Sequence, residues 1–194
     1  MHHAGRRHLR EAGPQRADDL HHPGEHLAGR ERRCRHPGPA RRHPAVGGET
    51  VAARFSDVEV GQSIPELQKE ATTQTLVKFA GATGDFYQIH YDREFAQAAG
   101  LPDVILHGFL KKAFLAEAVS NWAGGPQRLR KLVAQYRGVD LPSRPGTQQL
   151  FTVRGTVTKK WEQDGERLVE LQLEGVDTEG KVTTPGSAVV ALAS

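Results

Sequence analysis

The chain has 194 residues, with 26 Lys and Arg against 23 Asp and Glu and a net charge of +3, which suits one ordinary domain with a tail and is short for two. Its one cysteine, Cys34, excludes an intrachain disulfide and a cysteine-based metal knuckle. No apolar run reaches the roughly 18 to 20 residues that span a bilayer, and the N-terminus lacks the apolar core of a secretory signal, so the composition points to a soluble chain suited to the reducing cytoplasm, with no membrane association.

Residues 1–50 hold ten Arg against six acids and lack Phe, Tyr, Trp, Ile and Lys. With so little apolar surface to offset the entropy of ordering, this Arg/His/Pro/Gly-rich tail is expected to be disordered. Eight of the ten histidines lie in it, and they are read as a solvated segment rather than as a metal or nucleic-acid site. An Arg-rich, Lys-free and Ile-free composition is also what GC-rich upstream DNA gives when read as protein. On that reading the native start would be Val46 or Val51.

The domain is expected over residues 51–194. Thr73 can cap a helix carrying Leu76, Val77, Phe79 and Ala80, which Gly81 and Gly84 can end. Asp92 is a good cap for a short second helix, Arg93 to Ala99, stopped by Gly100 and Pro102. From Phe109 to Trp122 apolar residues cover more than one face, as in a helix largely buried against a sheet, and Gly124-Gly125-Pro126 ends it.

After that the period changes to two. Leu129, Tyr136 and Val139 fall in one extended run and Phe151, Val153, Val157 and Trp161 in another. Leu168 to Leu173 and Ser187 to Ala191 make two more. Asp164-Gly165 and Glu179-Gly180 predict tight antiparallel reversals, and Pro185 predicts a bulge or an edge near the last strand. Small helices, one long buried helix and then an antiparallel meander make an α+β layout rather than a βαβ alternation.

Outside the tail the only histidines are His90 and His107, and both fall in the irregular stretch around the small helices. His90 follows Asp85 by five residues in Gly84-Asp85-Phe86-Tyr87-Gln88-Ile89-His90. A carboxylate and an imidazole sharing a water make a general acid/base pair. Taken alone, an Asp and a His at that spacing are more often a turn former and an ordinary polar residue.

The wider motif changes that balance. The block Phe79-Ala80-Gly81-Ala82-Thr83-Gly84-Asp85 through Ile89-His90-Tyr91-Asp92, followed by Ile105-Leu106-His107-Gly108-Phe109-Leu110, resembles the signature of MaoC-like dehydratases and (R)-specific enoyl-CoA hydratases. The resemblance covers about residues 55–194, with a lead-in at Phe55 to Gly61 and a downstream segment Tyr136-Arg137-Gly138-Val139-Asp140. It implies a single hotdog domain, a long helix wrapped by an antiparallel sheet, working as a homodimer or with a second hotdog chain. It further implies Asp85 and His90 as the catalytic pair that adds water across the C2=C3 bond of a trans-2-enoyl thioester, giving the (3R)-hydroxyacyl product, or runs the reverse. Gly108 is the implied oxyanion donor. Where the family commonly has Asn-Pro, this chain has Tyr87-Gln88, so an amide from Gln88 or a hydroxyl from Tyr87 would have to position the water or substrate.

His107 is either a residue that orients this turn and the substrate or a plain helix-start residue. Lys111 and Lys112 are candidate contacts for phosphates of coenzyme A or an acyl carrier protein, although exposed lysine pairs are more often solvation. No metal site and no cofactor are expected, since hydration requires neither. Two other readings stay open: a hotdog acyl-thioester hydrolase, and a non-catalytic acyl-CoA-binding partner subunit in which Tyr87-Gln88 has compromised catalysis.

Overall fold

A computed structural model describes residues 52–194; the readings made for residues 1–51, including the disordered tail, the starts at Val46 and Val51 and the free Cys34, lie outside them. The first strand, β1 (Leu67–Glu70), is too short to show a period and was not among the expected elements. Helix α1 (Thr73–Thr83) is capped by Thr72 rather than Thr73, through a reciprocal capping box with Thr75. Gly84 ends α1 at φ 78°, a left-handed turn that a residue with a Cβ resists. Asp92 caps α2 (Arg93–Ala98) as expected, its carboxylate accepting from Phe95 N.

The long helix α3 (Gly108–Ala123) matches the expected span to within one residue at each end. It buries Leu110, Phe114, Leu115, Ala118, Val119, Trp122 and Ala123, which share one core with the sheet. Four strands follow: β2 (Leu129–Ala134), β3 (Leu150–Gln163), β4 (Glu166–Val176) and β5 (Val182–Ala191). The five strands form one antiparallel sheet in the order β1-β3-β4-β5-β2. Alternate side chains of β3 and β4, among them Val153, Val157, Val169, Leu171 and Leu173, turn inward to the α3 core and are at most 1% exposed. Each such side chain stabilises the fold by about 1.5 to 3 kcal/mol. A long central helix held in a curled antiparallel sheet is the hotdog arrangement, an α+β fold.

The reversal at Asp164-Gly165 places both residues at positive φ, 52° and 79°, as a two-residue hairpin demands. One strand expectation needs correcting. Tyr136 and Val139 are not in a strand: β2 ends at Ala134, and the chain then leaves the ladder, with Arg137 and Gly138 N–H both donating to Thr183 O. Pro185 does not mark an edge, because β5 lies between β4 and β2; the bulge half of that expectation fits, as the β4–β5 register slips between Gly175 and Val176. Among the described residues no helix is long and apolar enough to cross a membrane.

Candidate active site

The left-handed turn at Gly84 swings the chain off the end of α1, so Asp85 opens an irregular stretch instead of continuing the helix. That stretch makes a 3-10 turn over Gln88–His90. It is fastened to the segment leading into α3, where Ile105 N–H donates to Ile89 O and the His90 ring bonds to Ile105 O at 2.8 Å. A carbonyl only accepts, so His90 Nδ1 carries a proton and Nε2 is the ring nitrogen that makes no hydrogen bond among the described residues. His90 is 7% exposed.

His107, the residue before α3, is fully buried. Its ring stacks on His90 with centroids 3.8 Å apart and planes 21° apart, and Phe79 packs on it at 5.0 Å. His107 Nε2 lies 3.2 Å from Asp85 O, and by the same logic it carries the proton and donates. Its Nδ1 is then a buried acceptor with no partner. Burial and the neighbouring His90 hold the His107 pKa below its ordinary 6.5, against the opposing pull of the Asp85 carbonyl and carboxylate. His107 is therefore a neutral imidazole touching both members of the expected pair.

Asp85, His90 and His107 have side-chain ligand atoms within 4.8 Å of one another, so the expectation that no metal constellation exists needs amending. The fit to a cation is poor. Two of the four ring nitrogens are spent on carbonyl oxygens, and nearly parallel stacked rings aim their lone pairs side by side instead of at one point. The donor set instead brings a half-exposed carboxylate and an imidazole together, two groups able to exchange a proton with a shared water.

Gly108 begins α3, so its amide is one of the helix's free N–H groups. It lines a cavity of about 410 Å³ together with His90, Lys111, Tyr136, Gly138 and Val139. A second hollow of about 290 Å³ is also lined by His90, with Leu76, Ala80, Phe86, Tyr91 and His107. A larger one, about 560 Å³, opens between Val58, Ile64 and Trp122, but it contains no histidine, so size does not choose the site.

The remaining expected residues divide. The exposed Tyr87 ring stands edge-on to His90 at 6.4 Å, while Gln88 is exposed and lines neither hollow beside His90. Lys112 is half-buried and lines neither. Lys111 is a correction: it is 2% exposed, and its ammonium is committed to Gly138 O at 2.9 Å and Asp140 Oδ2 at 2.8 Å, so it is not free to meet a phosphate in solvent. Tyr136, expected in an extended run, lies over Gly108, and Asp140 holds Lys111. The Lys111–Asp140 spacing of 29 residues carries no local pattern that could have announced the pair.

Comparison with known proteins adds to this geometry. An 80-residue stretch is 34% identical to the 3-oxo-4,17-pregnadiene-20-carboxyl-CoA hydratase beta subunit of Mycobacterium tuberculosis, covering 41% of this chain and 61% of that one. A 118-residue stretch is 30% identical to fatty acid synthase subunit beta of Saccharomyces cerevisiae, covering 58% of this chain and 6% of that protein. The match thus spans less than two thirds of either relative. The solved structure of the (R)-hydratase from A. caviae involved in PHA biosynthesis superposes with a TM-score of 0.61 at 21% identity, over 70% of this chain and 98% of that one, a likeness of fold. Residues 55–165, more than half of the sequence and including Asp85, His90, His107 and Gly108, match the MaoC like domain, and the chain belongs to that family.

Proposed function

We propose that the chain is a hydro-lyase that adds water to trans-2-enoyl thioesters of coenzyme A or an acyl carrier protein, giving (3R)-3-hydroxyacyl thioesters, and that it catalyses the reverse dehydration. The observation that carries this reading is the approach of a carboxylate, Asp85, to the His90 imidazole, with His90 and Gly108, the first residue of α3, lining one cavity. The two groups share one water. As the water oxygen bonds to C3, its proton passes to the pair and the C2=C3 electrons move onto the thioester oxygen. Gly108 N–H, at the positive end of the α3 dipole, receives that developing charge. When the electrons return, the proton goes to C2, and the net change is H and OH added across one double bond. One such amide donor lowers the barrier by about 3 to 4 kcal/mol, and the acid/base pair contributes roughly 10²- to 10⁴-fold.

His107 keeps this pair in place, by donating to Asp85 O on one side and stacking on His90 on the other. Staying neutral, it adds no charge that would favour the anionic base or oppose protonation of His90. A second hotdog subunit, the same or different, belongs to this reading: among the described residues β2 is a sheet edge, Val133, Tyr136 and Val139 on or just after it and Phe109 on α3 are exposed, and the M. tuberculosis relative is named as a beta subunit.

Incubation with crotonyl-CoA and chiral chromatography of the product tests the reaction. The expected product is (3R)-3-hydroxybutyryl-CoA with no free thiol. Release of coenzyme A thiol without loss of the enoyl group would replace this reading with that of a thioester hydrolase.

A further inference from the structure

Lys111 stands one turn past Gly108 on α3, in the lining of the same cavity, and the hydration chemistry makes no use of it. It is a buried cation with a buried partner: the Lys111 and Asp140 side chains are 3% and 5% exposed. The remaining Asp140 oxygen accepts from Thr183 Oγ1 at 3.0 Å, and Asp140 O accepts from Leu106 N. Lys111 also donates to Gly138 O. Bonds from α3, from β5 and from the approach to α3 therefore converge on residues 138–140, which have left the sheet ladder and lack its regular pairing.

Removing two charges from water is costly, and an apolar pair filling the same space would often serve stability as well or better. What the ion pair supplies that an apolar pair does not is one fixed geometry for this segment. The residue that benefits is Tyr136. A Cβ built on Gly108 would stand 3.1 Å from Tyr136 Cε2 and 3.2 Å from Cδ2 and Cζ, so the ring already covers the face of Gly108. Phe109 packs edge-on against the ring at 6.4 Å, and the Lys111 ammonium lies 5.8 Å from its centroid.

Resting on the proposed hydration, we infer that Lys111 and Asp140 are positioning residues that brace Tyr136 over Gly108, and that Tyr136 sets specificity by rejecting enoyl thioesters substituted at C2. With the thioester oxygen at the Gly108 amide, C2 is the next carbon along, and a methyl group there meets the phenol ring. Unbranched chains carry only a hydrogen at that place and pass beneath it toward Asp85 and His90.

The test compares crotonyl-CoA with its 2-methyl homologue, tiglyl-CoA, in the full chain. Rates are read as kcat/KM, and affinities are read by calorimetry on an Asp85→Asn background, so that discrimination is measured with or without turnover. The wild type should favour crotonyl-CoA at least tenfold. Tyr136→Ala should cut that preference at least tenfold, and the paired replacement Lys111→Met with Asp140→Leu should move it the same way without moving the melting temperature to match. Thr183→Val, which takes only the hydroxyl from Asp140, gives the same direction on a milder scale and stands in should the paired replacement fail to fold. A preference left unchanged by Tyr136→Ala, or failure of both thioesters to bind, overturns the inference. A preference that shifts with Tyr136 but with neither the paired replacement nor Thr183→Val overturns the brace. Altered binding preference with no turnover in the wild type instead overturns the hydration reading while leaving the steric role of Tyr136 intact.

Discussion

The β3-β4-β5 meander and the stretch from Gly84 to Gly108 sit in one small domain but are held by different means. The meander is held by its backbone: β3 and β4 pair from Thr152–Val176 to Gln163–Glu166, and β4 and β5 pair along nearly their whole length. Its side chains have only to be apolar on alternate positions. The site stretch has no ladder, only a three-residue turn and a six-residue helix, and beside isolated backbone bonds such as Ile105 N–H to Ile89 O its shape depends on single side-chain bonds: the His90 ring to Ile105 O, the His107 ring to Asp85 O, and Phe95 N–H to the Asp92 carboxylate. In the first region a residue matters for the volume it fills. In the second it matters for one bond, and that is where a fold can carry chemistry without disturbing its core.

The largest stability effect belongs to the meander. Leu171, fully buried in β4, should cost about 2 to 5 kcal/mol when cut to alanine, read by urea unfolding, with kcat/KM of the folded protein little changed. An equal loss from Phe86→Ala, whose ring is exposed in the site stretch, would break the contrast.

His107 sharpens it through pH. Its folded pKa lies below its unfolded value near 6.5, so the unfolded chain binds the extra proton first. The stability this group contributes is whole above about pH 6.5 and is lost as pH falls through the window beneath it. His107→Phe keeps a ring against His90 but cannot titrate. Its urea midpoint should fall less steeply than the wild type's from pH 7 to pH 5, roughly the window that linkage allows, and an unchanged slope would mean that His107 already titrates normally. The smallest effect is local: Asp92→Ala removes the α2 cap and should cost about 1 kcal/mol, read as a shift in melting temperature.

What the sequence disclosed follows the same division. Helix α3 and the strands β3 to β5 were legible because their apolar residues fall in runs of five or more positions, from Ser187–Ala191 up to Phe109–Trp122, and their turns carry glycine. Strand β1 spans four residues, too few for a period to emerge, and Thr72 lost to Thr73 as the expected cap because either threonine fits locally and only the partner, Thr75, decides. Asp85, His90, His107 and Gly108 were nameable through a motif, whereas their tautomers and stacking depend on contacts across 15 and 22 residues. Lys111 read as a solvated lysine because its partner Asp140 and the Thr183 hydroxyl behind it come from segments that only the folded sheet brings together. Tyr136 read as a strand residue because alternation looks the same whether a chain stays in the ladder or, as here after Ala134, leaves it.

The most direct test of the central claim is the initial rate of crotonyl-CoA hydration, followed by loss of enoyl absorbance, for the wild type beside Asp85→Asn and His90→Gln at matched melting temperature. Both substitutions should lower kcat/KM by about 100-fold or more, the scale of lost general acid/base help. Wild-type turnover that survives either substitution within a fewfold would contradict the assignment of Asp85 and His90 as the pair that moves the proton.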